Sequence, residues 1–179
     1  EVLRLHHWIK NLLIFLPFVA SQQAFSANVL QNLFLGFLSF GLLASATYIL
    51  NDILDLKNDQ KHITKKYRPI PSGKISIQTG FLIIILLIAA IFFITKKFEE
   101  NNFLLYLIAY LGLSLSYSLY LKKIVLLDCF LLSILYTIRI FAGGELVNII
   151  PSFWLTTFSI FLFLSRAFLK RYSEISLMR

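Results

Sequence analysis

Long apolar runs separated by short polar segments fill nearly the whole chain. Six stretches approach the roughly 20 residues that a helix needs to cross a bilayer: about 8–25, 28–50, 78–95, 103–120, 124–141 and 151–169. Runs such as FLIIILLIAAIFFI at 81–94 show no period-two alternation, so the strands of a membrane barrel are excluded. Backbone groups in lipid must be satisfied within their own segment, and the runs therefore predict helices. The first stretch is the least regular. Pro17 interrupts it and Lys10 and Asn11 lie near its start, so a tilted or half-buried helix is the alternative to a full span. The pattern predicts an all-α, polytopic transmembrane bundle, with residues 1–179 forming a single domain. Gly41 with Ser45, and Gly112 with Ser116, place small residues four apart. That spacing suits close helix contact, although such residues are also ordinary in membrane helices.

Composition agrees with the pattern: 58% of residues are hydrophobic and 16% aromatic, with a mean hydropathy of +0.78. Charge adds orientation. With the N-terminus inside, 13 of the 17 Lys and Arg fall on one side of the membrane. The other side carries Lys96 and Lys97, beside Glu99 and Glu100, while Arg139 and Arg166 lie within spans. The positive-inside rule then places the N-terminus and the polar segment 51–74 in the cytoplasm. The net charge of +8 is thus a signal of topology. Nucleic-acid binding is disfavoured, because the bases are spread over short membrane-flanking loops. Cys129 is the one cysteine, which rules out an internal disulfide and reads as a small core residue. No cleavable signal pattern is present. The chain opens without Met and stops within a charged segment, so a fragment is expected, truncated at its C-terminus, with further spans beyond Arg179.

The chemistry concentrates in NDILDLKNDQKHITKKYRPIPSGK at 51–74. On a helix continuing from the second span, Asp52, Asp55 and Asp59 fall within a sector of roughly 60° at about 100° per residue, with Asn51 beside them. Lys57 and Lys61 point to the opposite side. Mg²⁺ takes a few carboxylates together with substrate phosphate oxygens and waters, and this face supplies the carboxylates. Lys65, Lys66 and Arg68 follow, and they suit phosphate as point charges and a bidentate fork. A metal-bridged diphosphate would satisfy both groups. The bland alternative is an interfacial helix with solvated acids and snorkelling lysines.

Asp128 and Arg139 lie eleven residues apart in the fifth stretch, on one helix face. Charges at that depth line a cavity, pair with each other or contact another helix. Tyr117, Lys122 and Lys123 end the fourth stretch, and Arg166, Lys170, Arg171 and Glu174 end the last, where aromatic and basic residues also serve as membrane anchors. His6, His7 and Trp8 read as interface residues, and His62 is a lone histidine in a loop. No serine–histidine–acid arrangement, zinc spacing or glycine-rich phosphate loop is present.

The segment NDILDLKNDQKHITKKYRPIPSG resembles the first aspartate-rich motif, N-D-x-x-D-x-x-x-D, of the UbiA superfamily of intramembrane prenyltransferases, including its place after a span and its trailing Lys and Arg-Pro. Within the superfamily the chain is most similar to the decaprenyl-phosphate phosphoribosyltransferase branch. RLHHWIKNLLIFLP at 4–17 looks like that branch's opening, and Asp59 to Gly73 looks like its extended first motif. Tyr117 to Lys122, Asp128, and Arg139 with Ala142-Gly143-Gly144 resemble its second region, and Lys170-Arg171-Tyr172-Ser173-Glu174 a later motif.

The resemblance implies a UbiA-type fold with about six of nine helices present, in a multi-pass protein of the bacterial plasma membrane whose active site faces the cytoplasm. It implies Mg²⁺-dependent transfer of phosphoribosyl from phosphoribosyl diphosphate to a polyprenyl phosphate, releasing diphosphate. Asp52, Asp55 and Asp59 would hold the metal, and Asp52, Asp55 and Lys122 would serve catalysis. Asn51, Lys65, Arg68, Tyr117, Arg139, Lys170 and Arg171 would bind substrate. Two alternatives stay open: transfer of an isoprenoid from its diphosphate to an aromatic acceptor, and a transporter with Asp128 and Arg139 on its pathway.

Overall fold

The computed structural model describes residues 2–22, 24, 26–98, 102–121 and 124–176. The described residues are helical and contain no strand. A 3-10 segment, Leu5–Phe15, runs into the short helix α1, Leu16–Ser21. The long α2, Ala27–Leu54, is followed by α3, Leu56–Lys61, and a 3-10 turn, Lys65–Tyr67. Then come α4, Ile77–Thr95, with a 3-10 extension over Lys96–Phe98, α5, Phe103–Leu119, α6, Val125–Leu146, and α7, Phe153–Ser176. Three starts are capped by serines: Ser26 accepts from the Val29 N–H at 3.3 Å, Ser76 from the Thr79 N–H at 3.1 Å and Ser152 from the Leu155 N–H at 3.2 Å. Each satisfies one of the donors left over at a helix N-terminus.

Among the described residues, four helical stretches are long and apolar enough to cross a membrane: Ala27–Leu54, Ile77–Phe98, Leu126–Leu146 and Phe153–Ser173. The fourth stretch expected from sequence is present as α5 but is shorter, at 17 residues. The first differs more. It is no continuous α-helix but the 3-10 segment joined to α1, and Pro17 explains where the change falls. Pro17 occupies the first turn of α1, where its missing N–H costs nothing and its fixed φ favours a helix start.

Helices α2 and α6 form the centre. Of the most apolar part of α2, 61% is buried, against 17% for α4 and for α7. Phe81, Leu82, Ile85 and Leu86 on α4 and Phe158, Phe161 and Leu162 on α7 remain exposed, as lipid-facing positions require. The N-terminal 3-10 segment packs across both α2 and α6. Its Ile14 and the Phe18 of α1 join Leu33, Phe40, Phe103 and Leu146 in the core.

Small residues permit this packing at two places. Trp8 lies over Gly41, where an added Cβ would meet its ring at 2.6 Å, and the Trp8 indole donates to Ser45 Oγ at 3.1 Å. The Gly41–Ser45 pair thus receives the N-terminal segment. Gly112 has nothing within 4 Å of where its Cβ would be, so the Gly112–Ser116 pair makes no such contact. Gly143 on α6 is in closer contact still, since a Cβ there would collide with the Ile14 carbonyl. We predict that Gly143→Ala lowers stability by about 1–3 kcal/mol through overpacking. Gly112→Ala should be neutral or stabilising by about 0.5–1 kcal/mol, as expected for a helix-interior glycine with room for a methyl group. Thermal unfolding of both variants in detergent checks the pair, and equal melting temperatures would contradict the account.

Candidate functional site

The acidic face forms because α2 continues past its last apolar turn. The Asp55 N–H donates to the Asn51 carbonyl at 2.9 Å and the Asp59 N–H to the Asp55 carbonyl at 2.9 Å. The helical hydrogen-bond spacing therefore persists across the break at Asp55. The chain then turns at His62, whose Nδ1 accepts from the Thr64 N–H at 3.3 Å and the Lys65 N–H at 3.4 Å. Arg68 adopts extended geometry, φ −62° and ψ 152°, as a residue before proline must. This returns its side chain to the acids.

Asp52 and Asp59 are buried, at 6% and 3% exposure. Carboxylates this far from water need charged partners, and both have them. Arg68 Nη1 donates to Asp52 Oδ1 at 3.1 Å and to Asp59 Oδ2 at 2.7 Å. Lys65 Nζ is 3.8 Å from Asp59 Oδ1. The partner that sequence reasoning did not single out is Arg4, whose Nη2 donates to both oxygens of Asp52 at 2.6 Å. Arg4 holds a left-handed backbone, φ 47°, a conformation that costs a non-glycine residue about 1–3 kcal/mol. Its bond to Asp52 offsets that cost. Asp55 is half-buried at the junction of α2 and α3.

An open cleft of about 640 Å³ lies over this network, bounded by Arg4, His6, His7, Thr64, Tyr67 and Arg68. His7 is held below its ordinary pKa, first by burial and then by the positive charge of His6, Lys10 and Arg4. The neutral form of His7 is favoured, while Arg4 and Arg68 bring permanent positive charge to the cleft.

A second cavity, about 120 Å³, lies inside the bundle, and Asn51, Tyr117 and Arg139 all line it, with Lys10, Tyr48 and Tyr136. Arg139 is 5% exposed. Its Nε donates to Asn11 Oδ1 at 2.9 Å, its Nη2 to Tyr110 Oη at 2.9 Å and its Nη1 to the Leu135 carbonyl. Asp128 is not its partner. Asp128 is buried in the first turn of α6, with Oδ1 lacking a hydrogen bond among the described residues, while Arg139 lies three turns further along that helix. The expected residues thus divide into two neighbouring groups, joined through consecutive Asn51 and Asp52. Lys170 and Arg171 lie in the last turns of α7 and line neither cavity. Lys122 lies outside the described residues.

Arg4 and Lys10 had a readable signal: both belong to RLHHWIKN, and Lys10-Asn11 interrupts an apolar stretch. Counting them only as cytoplasmic anchors hid their contacts. Among the described residues, no three acidic, histidine or cysteine side chains converge as a ready metal cage. The observed point of convergence is Arg68 Nη1, which two buried carboxylates share. Oxygen donors meeting at one cationic atom are the donor type a hard divalent cation takes when substrate phosphate completes its shell.

The Arg4–Asp52 contact also predicts a coupling. Arg4→Met should destabilise the protein by about 2 kcal/mol, less than the 3–5 typical of a broken, fully buried pair, because Arg68 still reaches Asp52. Combining it with Asp52→Asn should cost clearly less than the two single losses together. Denaturation of the four proteins of the cycle reads this out. Additivity within about 0.5 kcal/mol would show that the two residues are not coupled.

Comparison with known proteins accords with this architecture. The chain is 41% identical over 172 residues to the uncharacterized protein y4nM of Sinorhizobium fredii, covering 96% of this chain and 33% of that protein. It is 38% identical over 181 residues to nodulation protein NoeC of Azorhizobium caulinodans, covering 100% of this chain and 58% of the relative. It is 29% identical over 181 residues to decaprenyl-phosphate phosphoribosyltransferase of Mycobacterium tuberculosis, covering 99% of this chain and 60% of the relative. The chain therefore spans between a third and three-fifths of the length of these relatives. The model of the UbiA prenyltransferase family matches residues 12–175, from within the N-terminal 3-10 segment to the end of α7. With four helices of membrane-crossing length and a match of that extent, the chain is a multi-pass membrane protein that belongs to the UbiA prenyltransferase family.

Proposed function

We infer that the protein transfers phosphoribosyl from phosphoribosyl diphosphate to a polyprenyl phosphate at the cytoplasmic face of a bacterial plasma membrane. The observation that carries this reading is the meeting of Asp52 and Asp59 with Arg4, Arg68 and Lys65 at the end of α2. Carboxylates for a cation and guanidinium groups for phosphate occupy one place, as a metal-bridged diphosphate requires. Similarity over 99% of the chain to a protein named decaprenyl-phosphate phosphoribosyltransferase supports the choice of substrates. The concentration of Lys and Arg beside the acidic segment supports the cytoplasmic orientation.

In the reaction, an acceptor phosphate oxygen attacks C1 of the ribose, the bond from C1 to the diphosphate oxygen breaks, and diphosphate leaves with the electron pair. The attacking oxygen is already ionised, so no strong general base is needed. Asp52 and Asp59, with Asp55 beside them, would hold Mg²⁺. When bound, the ion would supply positive charge for the leaving diphosphate. Arg4, Arg68 and Lys65 would bind phosphate oxygens, and Asn51 would orient the donor. These groups act by positioning and by electrostatic stabilisation of the leaving group. Lys170 and Arg171, in the last turns of α7, and Lys122 remain candidates for further substrate contacts.

Asp52→Ala should abolish phosphoribosyl transfer while leaving expression and membrane insertion intact. Turnover by that variant within about twofold of wild type, a barrier change of only ~0.4 kcal/mol, would overturn the metal assignment. Wild-type activity with a prenyl diphosphate and an aromatic acceptor, and none with phosphoribosyl diphosphate, would overturn the choice of substrates.

A further inference from the structure

Lys65 and Arg68 reach the buried acids from a turn that has little to hold it. The 3-10 segment Lys65–Tyr67 is three residues long. A first helical turn fixes several backbone dihedrals for one hydrogen bond, so a turn this short is unfavourable by itself. Thr64, at its N-terminal boundary, supplies no side-chain cap. The cap comes from His62. Its Nδ1 accepts from the Thr64 N–H at 3.3 Å and the Lys65 N–H at 3.4 Å, and it lies 3.3 Å from Thr64 Oγ1. Backbone N–H groups can only donate, so Nδ1 is the acceptor and the proton of the neutral ring sits on Nε2. The His62 backbone is tied on both sides as well. Its N–H donates to the Asp59 carbonyl at 3.2 Å, and its carbonyl accepts from the Lys66 N–H at 3.4 Å. From the capped start the turn runs on to Arg68, whose N–H donates to the Lys65 carbonyl at 3.0 Å. Arg68 Nη1 then lies 2.7 Å from Asp59 Oδ2, and Lys65 Nζ 3.8 Å from Asp59 Oδ1.

We propose that His62 is a positioning residue for the diphosphate site: through Nδ1 it sets the turn that holds Lys65 and Arg68 over Asp59, and with it the affinity for diphosphate. The proposal rests on the reading of Lys65 and Arg68 as phosphate ligands. Packing gives no other reason for the residue, since the His62 side chain is exposed and lines neither cavity. What the turn requires is an acceptor two bonds from Cβ, not an aromatic ring, a charge or a proton donor. Asparagine carries such an acceptor in Oδ1 and bonds the backbone two residues on in the same way. In glutamine the acceptor sits one bond further out. A residue that bound phosphate or moved a proton through its imidazole would tolerate neither amide.

The test titrates inorganic diphosphate, with Mg²⁺ present, into detergent-solubilised protein by calorimetry, and needs no turnover. Wild type would be compared with His62→Asn, His62→Gln and His62→Ala. The side chain is exposed, so all three variants should fold; unchanged melting temperatures check this. His62→Asn should bind diphosphate within about twofold of wild type, because its Oδ1 keeps the cap. His62→Gln and His62→Ala should each bind about fivefold more weakly, the factor expected from one lost neutral hydrogen bond. Equal affinities in all four proteins would overturn the proposal, as would equal losses in His62→Asn and His62→Gln. No binding of diphosphate by wild type would overturn the site and the proposal with it. The expected order of affinities in a protein that transferred no phosphoribosyl would refute the reaction while leaving the role of His62 standing.

Discussion

A charge withdrawn from water needs an opposite charge or a dense set of hydrogen bonds, and Asp52 meets that requirement by drawing two arginines onto itself. Arg4 comes from the N-terminal segment and Arg68 from the loop after α3. Neither is near Asp52 in sequence, so this one carboxylate fixes how the N-terminus and the polar loop close over the end of α2. Arg68 then carries the constraint onward to Asp59, and Arg4 accepts a left-handed backbone to reach its partner. Further along the same segment, Trp8 seats on Gly41 and Ile14 presses against Gly143. The contacts that close the polar site and those that build the apolar core therefore belong to one stretch of chain.

The closure also separates two electrostatic environments. Outside, acids and bases are matched within the network under the open cleft. Inside, Lys10 and Arg139 face aromatic rings and neutral acceptors. The consecutive residues Asn51 and Asp52 face one environment each. The proposed transfer from a soluble sugar donor to a lipid phosphate would use the acidic network for the leaving diphosphate. The exposed apolar faces of α4 and α7 suit contact with lipid.

Much of this was legible in the sequence because its strongest signals are local. Runs such as 81–94 specify membrane helices by length and apolarity alone, and the spacing of Asp52, Asp55 and Asp59 specifies a shared helix face by its period. The first stretch was harder to read. Pro17 marks where its geometry changes, but only packing on α2 and α6 decides that a 3-10 segment lies there. Arg4 was illegible as a ligand of Asp52 because 48 residues separate them, and a basic residue near a span serves equally well as an anchor. Asp128 and Arg139 shared a face by periodicity, yet a pair three helical turns apart is too distant to bond. Arg139 instead finds Asn11, 128 residues away. Long-range polar pairings of this kind depend on tertiary closure, which no local pattern encodes.

The central claim is the group transferred. The most direct measurement incubates detergent-solubilised protein with phosphoribosyl diphosphate labelled in its ribose, a polyprenyl phosphate and Mg²⁺, then follows the label between aqueous and organic phases. The account predicts that label enters the organic phase and that a chelator stops it. Label remaining wholly aqueous, with both substrates and the metal present, would contradict it.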